Sequence, residues 1–345
     1  MQSALSGSEL LAIKSRWRDY INAQDTTNNK PVSIGLASTF TVEPLVPFLG
    51  SALLEQGFSP RIELAPFNQI HQVCLDPCSV FQNDGLDCIC VLLRIEEMLG
   101  KELKQWVNAD QTALAEVGVV IDGLTNALTV LRKNFKGTII ASIPPFPILT
   151  ETSIDDLTNP VGVGAFHKHV VSQWVSAVQA IGGIRLLDMD ALQRQFGLEG
   201  SIDCRKWYLY RQPYSEAFCA HIAHQLGRII QRVFLPARKC VAVDCDNTLW
   251  GGIVGEDGVA GLLLGDEFPG SAFVDFQRLL LHWKRQGLML AIISKNNEQD
   301  VWQIFESHDA MQLKKSDFVA WRINWEPKPA NLAQIAQELN IGIDS

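Results

Sequence analysis

The chain has 345 residues, is 47% hydrophobic and 19% charged, and carries a formal net charge of −9. That length exceeds what one hydrophobic core usually organises, so two domains are expected, and the composition excludes a disordered chain. The absence of a long basic run excludes general nucleic-acid binding, which needs clustered Lys and Arg against phosphates.

The opening MQSALSGSELLAIKSRWRDYINAQ mixes acids and bases early and has no apolar signal core, so it reads as a short amphipathic helix. No stretch of roughly 20 apolar residues is evident, so no membrane partner is expected and the cytoplasm is the expected location. PVSIGLAS (31–38) predicts a buried strand, and 42–57 a helix ending at Gly57. PRIELAP (60–66) predicts the next strand. LDCICVLLR (86–94) is apolar on both faces and predicts a central one. Cys88 and Cys90 belong to that strand as small buried residues. Cys74 and Cys78 flank LDP without the paired spacing of zinc ribbons, so neither a disulfide framework nor a structural zinc is expected. The segment 101–135 reads as helical, GTIIASIPP (137–145) as a strand, 163–181 as a helix, GIRLLDMD (183–190) as the last strand of the unit and 215–234 as an amphipathic helix. Strands alternating with helices imply a parallel sheet.

A boundary is expected at LPARK, giving domains 1–235 and 236–345. A second unit then opens with RKCVAVDCDNTLWGG (238–252). It continues with a helix over 270–287, the strand LMLAIISKNN (288–297), a helix from EQDVWQIFESH and another near 329–340. The run Val241–Ala242–Val243 delivers Asp244 to the carboxyl end of a strand, where open α/β sheets place ligands. Asp244 and Asp246 stand two residues apart, followed by Asn247 and Thr248. At that spacing one carboxylate can attack a phosphoryl group while the other serves as acid, then base. Ser294 ends a second apolar strand and is followed by Lys295, Asn296 and Asn297. Its hydroxyl and the exposed N–H groups there suit phosphoryl oxygens. Lys328, just before a helix, suits neutralising the phosphoryl charge and keeping Asp244 ionised. A lone DxD would be equally consistent with a metal site or a capped turn; the ordered set favours phosphoryl transfer.

These residues resemble the haloacid dehalogenase superfamily: VDCDNTLW is similar to its first motif, IISKNN to its second, and Lys328 to its third. More narrowly, DCDNTLWGGIVGEDG, SKNNEQDVW and FVAWRINWEPKPANLAQIAQELNIGIDS resemble the FkbH-like family. ASTFTVEPLVPFLGSALLEQGF, APFNQIHQ and DCRKWYLYRQPYSEAFCAHIA are similar to the domain preceding it there. The resemblance implies a two-domain α/β protein: an N-terminal SGNH-like or flavodoxin-like parallel-sheet domain and a C-terminal HAD-type Rossmann-like domain. The implied activity is that of a glyceryl transferase/phosphatase of polyketide biosynthesis. It takes 1,3-bisphosphoglycerate, removes phosphate and leaves a glyceryl thioester on the phosphopantetheine thiol of an acyl carrier protein. By the same resemblance Asp244 is the nucleophile and an Mg²⁺ ligand, and Asp246 is acid/base and ligates through its carbonyl. Thr248, Ser294, Asn296 and Lys328 line the phosphate site. The family pattern also has a fourth acidic motif after a further strand. The sequence ends at IGIDS, where that strand would begin, so truncation and weakened Mg²⁺ binding are expected. The alternatives are a Mg²⁺-dependent metabolite phosphatase and a non-catalytic carrier-protein docking module.

Thioester formation raises Cys245 as a candidate nucleophile, although strand alternation turns it away from a ligand shared by Asp244 and Asp246. The carrier thiol is the simpler attacker. In the first domain Ser38 stands where an SGNH nucleophile would, yet LASTFT is not the corresponding Gly-Asp-Ser block. His167 and His169 read as surface residues at a polar helix start. Asn68 and Gln69 could line the same cleft, and Trp207, Tyr208 and Tyr210 suit an interface or interdomain packing. Docking or substrate positioning is preferred to hydrolysis for this domain.

Overall fold

The computed structural model describes residues 5–23, 29–81, 85–107, 112–148 and 162–345. Two compact units divide the chain, Met1–Phe234 and Leu235–Ser345.

In the first unit five parallel strands, β1 (Lys30–Ser38), β2 (Phe58–Leu64), β3 (Cys88–Leu92), β4 (Thr138–Ile143) and β5 (Ile184–Asp188), pair in the order β2-β1-β3-β4-β5. All five residues of β3 are buried, because the central strand is covered on both faces. The N-terminal helix α1 (Gly7–Asn22) starts from a capping box in which Ser6 and Glu9 satisfy each other's main chain. It packs on α2 (Val46–Glu55), with the Trp17 ring lying against Gly50. A methyl group at Gly50 would overlap that ring. Gly50→Ala is therefore expected to cost about 1–3 kcal/mol by overpacking. A lowered urea midpoint, together with a red shift of Trp17 emission relative to a Trp17→Phe control, would check it.

The segment 101–135, expected to be helical, carries two described helices. The described helices are α3 (Gly100–Val107) and α4 (Ala113–Asn134), and 108–111 lie outside the described residues. By length and composition α4 is also apolar enough to cross a membrane, contrary to the sequence expectation. Its Val117, Ile121, Leu124, Leu128 and Leu131 recur at helical spacing and are buried in the core of this unit. Helix α5 (Val163–Ile181) buries Val163, His167, Val170, Trp174 and Val178 on one face. His167 is therefore a core residue, not the surface residue expected. Its Nε2 lies 3.2 Å from the Pro144 carbonyl, and burial holds its pKa below the ordinary imidazole value against the opposing pull of Asp190. His169 is half-buried, with Nε2 enclosed, so it too departs from the surface reading. Helix α6 (Glu216–Phe234) closes the unit.

The strand order reverses between β1 and β3, which makes their carboxyl ends the crevice of the sheet. Side chains fill it. Arg94, just past β3, is fully buried. Its Nε and Nη2 donate to the two Glu96 oxygens at 3.0 and 2.6 Å, Nη1 to Tyr214 Oη at 3.2 Å and Nη2 to the Phe146 carbonyl at 3.1 Å. The Arg94 N–H donates to Thr39 Oγ1, and the Leu93 N–H to Ser142 Oγ, each at 2.7 Å.

The second unit holds a parallel three-stranded sheet, β6 (Cys240–Val243), β7 (Met289–Ser294) and β8 (Ala320–Ile323), in that order. Its helices include α7 (Gly270–Arg285), α8 (Glu298–Ser307) and α9 (Lys328–Glu338). Strand β8 was not anticipated: AWRI is four residues long, and its central Trp321 and Arg322 are half-exposed, so no apolar alternation marks it. Glu298 Oε1 accepts from the indoles of Trp302 and Trp321, each at 2.9 Å, and Lys315 Nζ lies 4.4 and 4.9 Å from their ring centroids. This box fastens β8 to α8.

Candidate active site

Because β6, β7 and β8 are parallel, their carboxyl ends open on one side. Asp244 follows β6, Ser294 ends β7, and the loop after β8 leads to Lys328 at the start of α9. Ser294 Oγ donates to Asp244 Oδ1 at 2.6 Å, and the Cys245 N–H donates to the same oxygen at 2.9 Å. Lys328 Nζ donates to Asp244 Oδ2. Asn296, which is buried, donates through Nδ2 to Ser294 Oγ at 3.1 Å. Asp244, Ser294, Asn296 and Lys328 thus meet in one constellation. Burial pushes the Asp244 carboxyl up. The hydrogen bonds from Lys328, Ser294 and the Cys245 N–H, with the lysine charge, outweigh it and hold the group below its ordinary range. Asp244 keeps a partly exposed, ionised oxygen pair beside a lysine, as a nucleophilic carboxylate requires.

Asp246 is held separately. Its Oδ1 accepts the Trp250 indole N–H at 3.0 Å and the Val254 N–H at 3.3 Å. Trp250 is fully buried, so its indole fixes the carboxylate's direction. Asn247 makes the turn between them with φ +54° and accepts the Gly252 N–H at 3.0 Å. Left-handed backbone of this kind suits Asn better than most residues. Thr248 is half-buried, and its N–H donates to the Cys245 carbonyl at 3.1 Å. Lys295 is exposed on the loop after β7.

Cys245 is corrected as a nucleophile candidate. It is fully buried in the core of the unit, and burial pushes its thiol up to about 12. A thiol so placed neither reaches solvent nor ionises near neutrality. Sequence reasoning missed Trp250 and Gln277. Buried Gln277 donates to the Leu249 carbonyl at 2.7 Å and accepts from the Gln312 and Leu313 N–H groups at 2.9 and 3.3 Å, so it locks the loop after Asp246 to a distant segment. The i,i+4 spacing of Asp246 and Trp250 was a readable signal; nothing local marks Gln277.

In the first unit Ser38 is buried, and its hydroxyl donates to the Phe40 carbonyl at 2.5 Å, while His167 is engaged with Pro144. No Ser–His pair forms between them. Asn68, with φ +57°, donates its N–H to the Ser38 carbonyl at 3.0 Å; Asn68 is exposed and Gln69 half-buried. Trp207 is buried under the Arg211 guanidinium, whereas Tyr208 and Tyr210 are exposed.

The strand tip also bears on metal binding. Mg²⁺ takes few protein oxygens and completes an octahedron with water and substrate phosphate. The Asp244 carboxylate and the Asp246 carbonyl offer such a partial oxygen set. A carboxylate oxygen has two lone-pair sites, so Lys328 on Oδ2 leaves acceptor capacity. Among the described residues no group of three His, Cys, Asp or Glu could hold a metal. The donors therefore fit a magnesium ion shared with a phosphate, not a closed protein cage.

The α/β architecture is shared with a solved structure. The N-terminal part of the protein BF1531 from Bacteroides fragilis, described as containing a phosphatase domain complexed with Mg, superimposes with a TM-score of 0.80. The match covers 96% of this chain and 86% of that one at 21% sequence identity, so what it shows is the fold. A structure described as a platelet activating factor from Streptococcus pneumonia has a TM-score of 0.34 and 9% identity over 65% of this chain and 93% of its own, and carries no argument. No protein-family model matches the chain, and no curated protein matches it.

Proposed function

We propose that the chain is an Mg²⁺-dependent enzyme that cleaves a phosphoryl group from a small phosphorylated metabolite, with Asp244 as nucleophile. The observation that carries this reading is the Asp244 carboxylate, with one oxygen on Ser294 and the Cys245 N–H and the other on Lys328. Asp244 attacks phosphorus, the bond to the leaving oxygen breaks, and Asp246 supplies that oxygen with a proton. Asp246 then takes a proton from the water that hydrolyses the aspartyl phosphate. Ser294, Asn296 and Thr248 hold phosphoryl oxygens, and Lys328 offsets their charge. Bound Mg²⁺, held by Asp244 and the Asp246 carbonyl, would screen the anionic nucleophile from the anionic substrate.

The fuller reading adds the acyl step: 1,3-bisphosphoglycerate is the substrate, the phosphopantetheine thiolate of an acyl carrier protein attacks its C1 carbonyl and the 1-phosphate leaves, and Asp244 removes the 3-phosphate to give the glyceryl thioester. It rests on the FkbH-like sequence stretches alone. Burial of Cys245 supports direct attack by the carrier thiol. The second reading, a plain metabolite phosphatase, is favoured by the description of the BF1531 fragment. Incubating the protein with holo carrier protein, 1,3-bisphosphoglycerate and Mg²⁺ separates the two. A glyceryl adduct on the carrier in the intact mass spectrum is expected; phosphate release with an unmodified carrier would leave the plain phosphatase.

A further inference from the structure

At the amino ends of the first unit's strands, the edge of the sheet opposite the crevice filled by Arg94, lies an open cavity of about 510 Å³. Its lining includes Asp87 just before β3, Thr138 at the start of β4, Arg185 in β5, Arg132 from the last turn of α4, Lys136 and Phe234. Lys30 Nζ donates to the Phe234 carbonyl at 2.5 Å, which brings a fourth cation to the edge. Arg132 is half-buried and held in place. Its Nη1 donates to the Gly137 carbonyl at 2.9 Å and the Gly183 carbonyl at 3.4 Å, and its Nη2 to the Phe135 carbonyl. Gly182 and Gly183, at φ +71° and +67°, make the turn that presents the Gly183 carbonyl.

These carbonyls satisfy hydrogen bonds without cancelling the guanidinium charge. Asp87 is the carboxylate of the lining, and its Oδ2 accepts the Ser33 N–H at 2.8 Å. Among the described residues no carboxylate forms an ion pair with Lys30, Arg132, Lys136 or Arg185. Helix carboxyl ends attract Lys and Arg, and α4, α5 and α6 all end beside this cavity. Each end presents about half a negative charge, so the three ends and Asp87 together offset only about two and a half of the four positive charges. A surplus of between one and two charges remains, in a chain whose acids outnumber its bases by 38 to 29. Like charges gathered around one cavity repel, and a bound anion removes that repulsion.

We propose that this cavity binds a phosphorylated small molecule, with a dianionic phosphate facing Arg132, Lys136 and Arg185. A dianion matches the surplus, and guanidinium groups suit phosphate oxygens through paired N–H donors. The volume exceeds that of a phosphate and lies in the range of small-molecule sites, so it also admits the body of the ligand. The site belongs wholly to the first unit and is independent of the phosphoryl-cleavage reading of the second.

Inorganic pyrophosphate in EDTA is the probe, with titration calorimetry and hydrogen exchange of the whole chain as readouts. Lys328→Met is the background, because it removes the cation beside Asp244 and leaves the cavity untouched. In that background pyrophosphate is expected to bind and to slow exchange severalfold at amides near 136–138 and 183–185. Adding Lys136→Gln and Arg185→Gln, both at exposed positions, is expected to weaken binding by about tenfold or more, the scale of losing charge-assisted hydrogen bonds. Lys136→Arg with Arg185→Lys is expected to retain most of the affinity. Absence of binding in the Lys328→Met background, or an affinity unchanged by the two glutamines, overturns the site. So does slowed exchange confined to amides of the second unit.

Discussion

Asp244→Asn is expected to lower the rate of phosphate release by at least about 10³-fold, in line with loss of a covalent nucleophile. An amide oxygen keeps the shape of the carboxylate and still accepts from Ser294 and Cys245, so the local structure has no reason to rearrange. What disappears is the negative charge facing Lys328 and the electron pair that attacks phosphorus. Both partners in that ion pair are partly exposed, so stability is expected to change by less than about 1 kcal/mol. The check is steady-state phosphate release at saturating Mg²⁺, with circular dichroism and a urea midpoint as controls. A variant that folds normally and keeps a tenth of the wild-type rate would remove Asp244 from the chemistry.

The largest expected effect on stability belongs to Arg94. Replacing it by Met leaves Glu96, whose side chain is only 11% exposed, without a counter-ion and with the Ile148 N–H as a remaining donor, and leaves the Tyr214 hydroxyl and the Phe146 carbonyl without the guanidinium. Removing one partner of a buried pair typically costs about 3–5 kcal/mol, because the remaining charge has neither water nor counter-ion. The double variant Arg94→Met with Glu96→Leu is expected to recover much of that loss, since no charge is then buried. Hydrogen exchange of the β3 amides reads this unit directly, which matters in a chain of two units where a global unfolding curve mixes them. A single variant as protected as the wild type would show that the guanidinium–carboxylate pair is not what holds the crevice shut.

The legible parts of this protein are those in which a local pattern and the tertiary structure agree. PVSIGLAS and CICVLL are continuous apolar runs because buried parallel strands see no solvent face, and both form strands. The constellation of Asp244, Ser294, Asn296 and Lys328 is readable because each follows an apolar strand or precedes a helix, the positions where α/β sheets present ligands. Other features are set by contacts distant in sequence. His167 reads as polar in a polar helix start, and only the packing of α5 shows that it lies on the same stripe as Trp174. Strand β8 hides because its exposure is uneven, and its place is fixed by pairing with β7 and by the Trp302–Lys315–Trp321 box. Arg94 looks like an ordinary strand-end charge until Glu96, Tyr214 and Phe146 are found around it. Cys245 shows a reading split within one tripeptide: its chemistry alone made it attractive, whereas its burial in the core was not visible in the residues around it.

Asp244 and Ser294 come from the ends of β6 and β7 and Lys328 from beyond the loop after β8, and the hydrogen bonds that join the three run between these segments. The arrangement of these groups therefore exists only while β6, β7 and β8 stay in register. Slippage of any one would scatter the three groups together, leaving most of the surrounding helices intact. Turnover should consequently behave as a switch across a denaturant series, extinguished in step with the sheet amides and ahead of the far-ultraviolet helix signal.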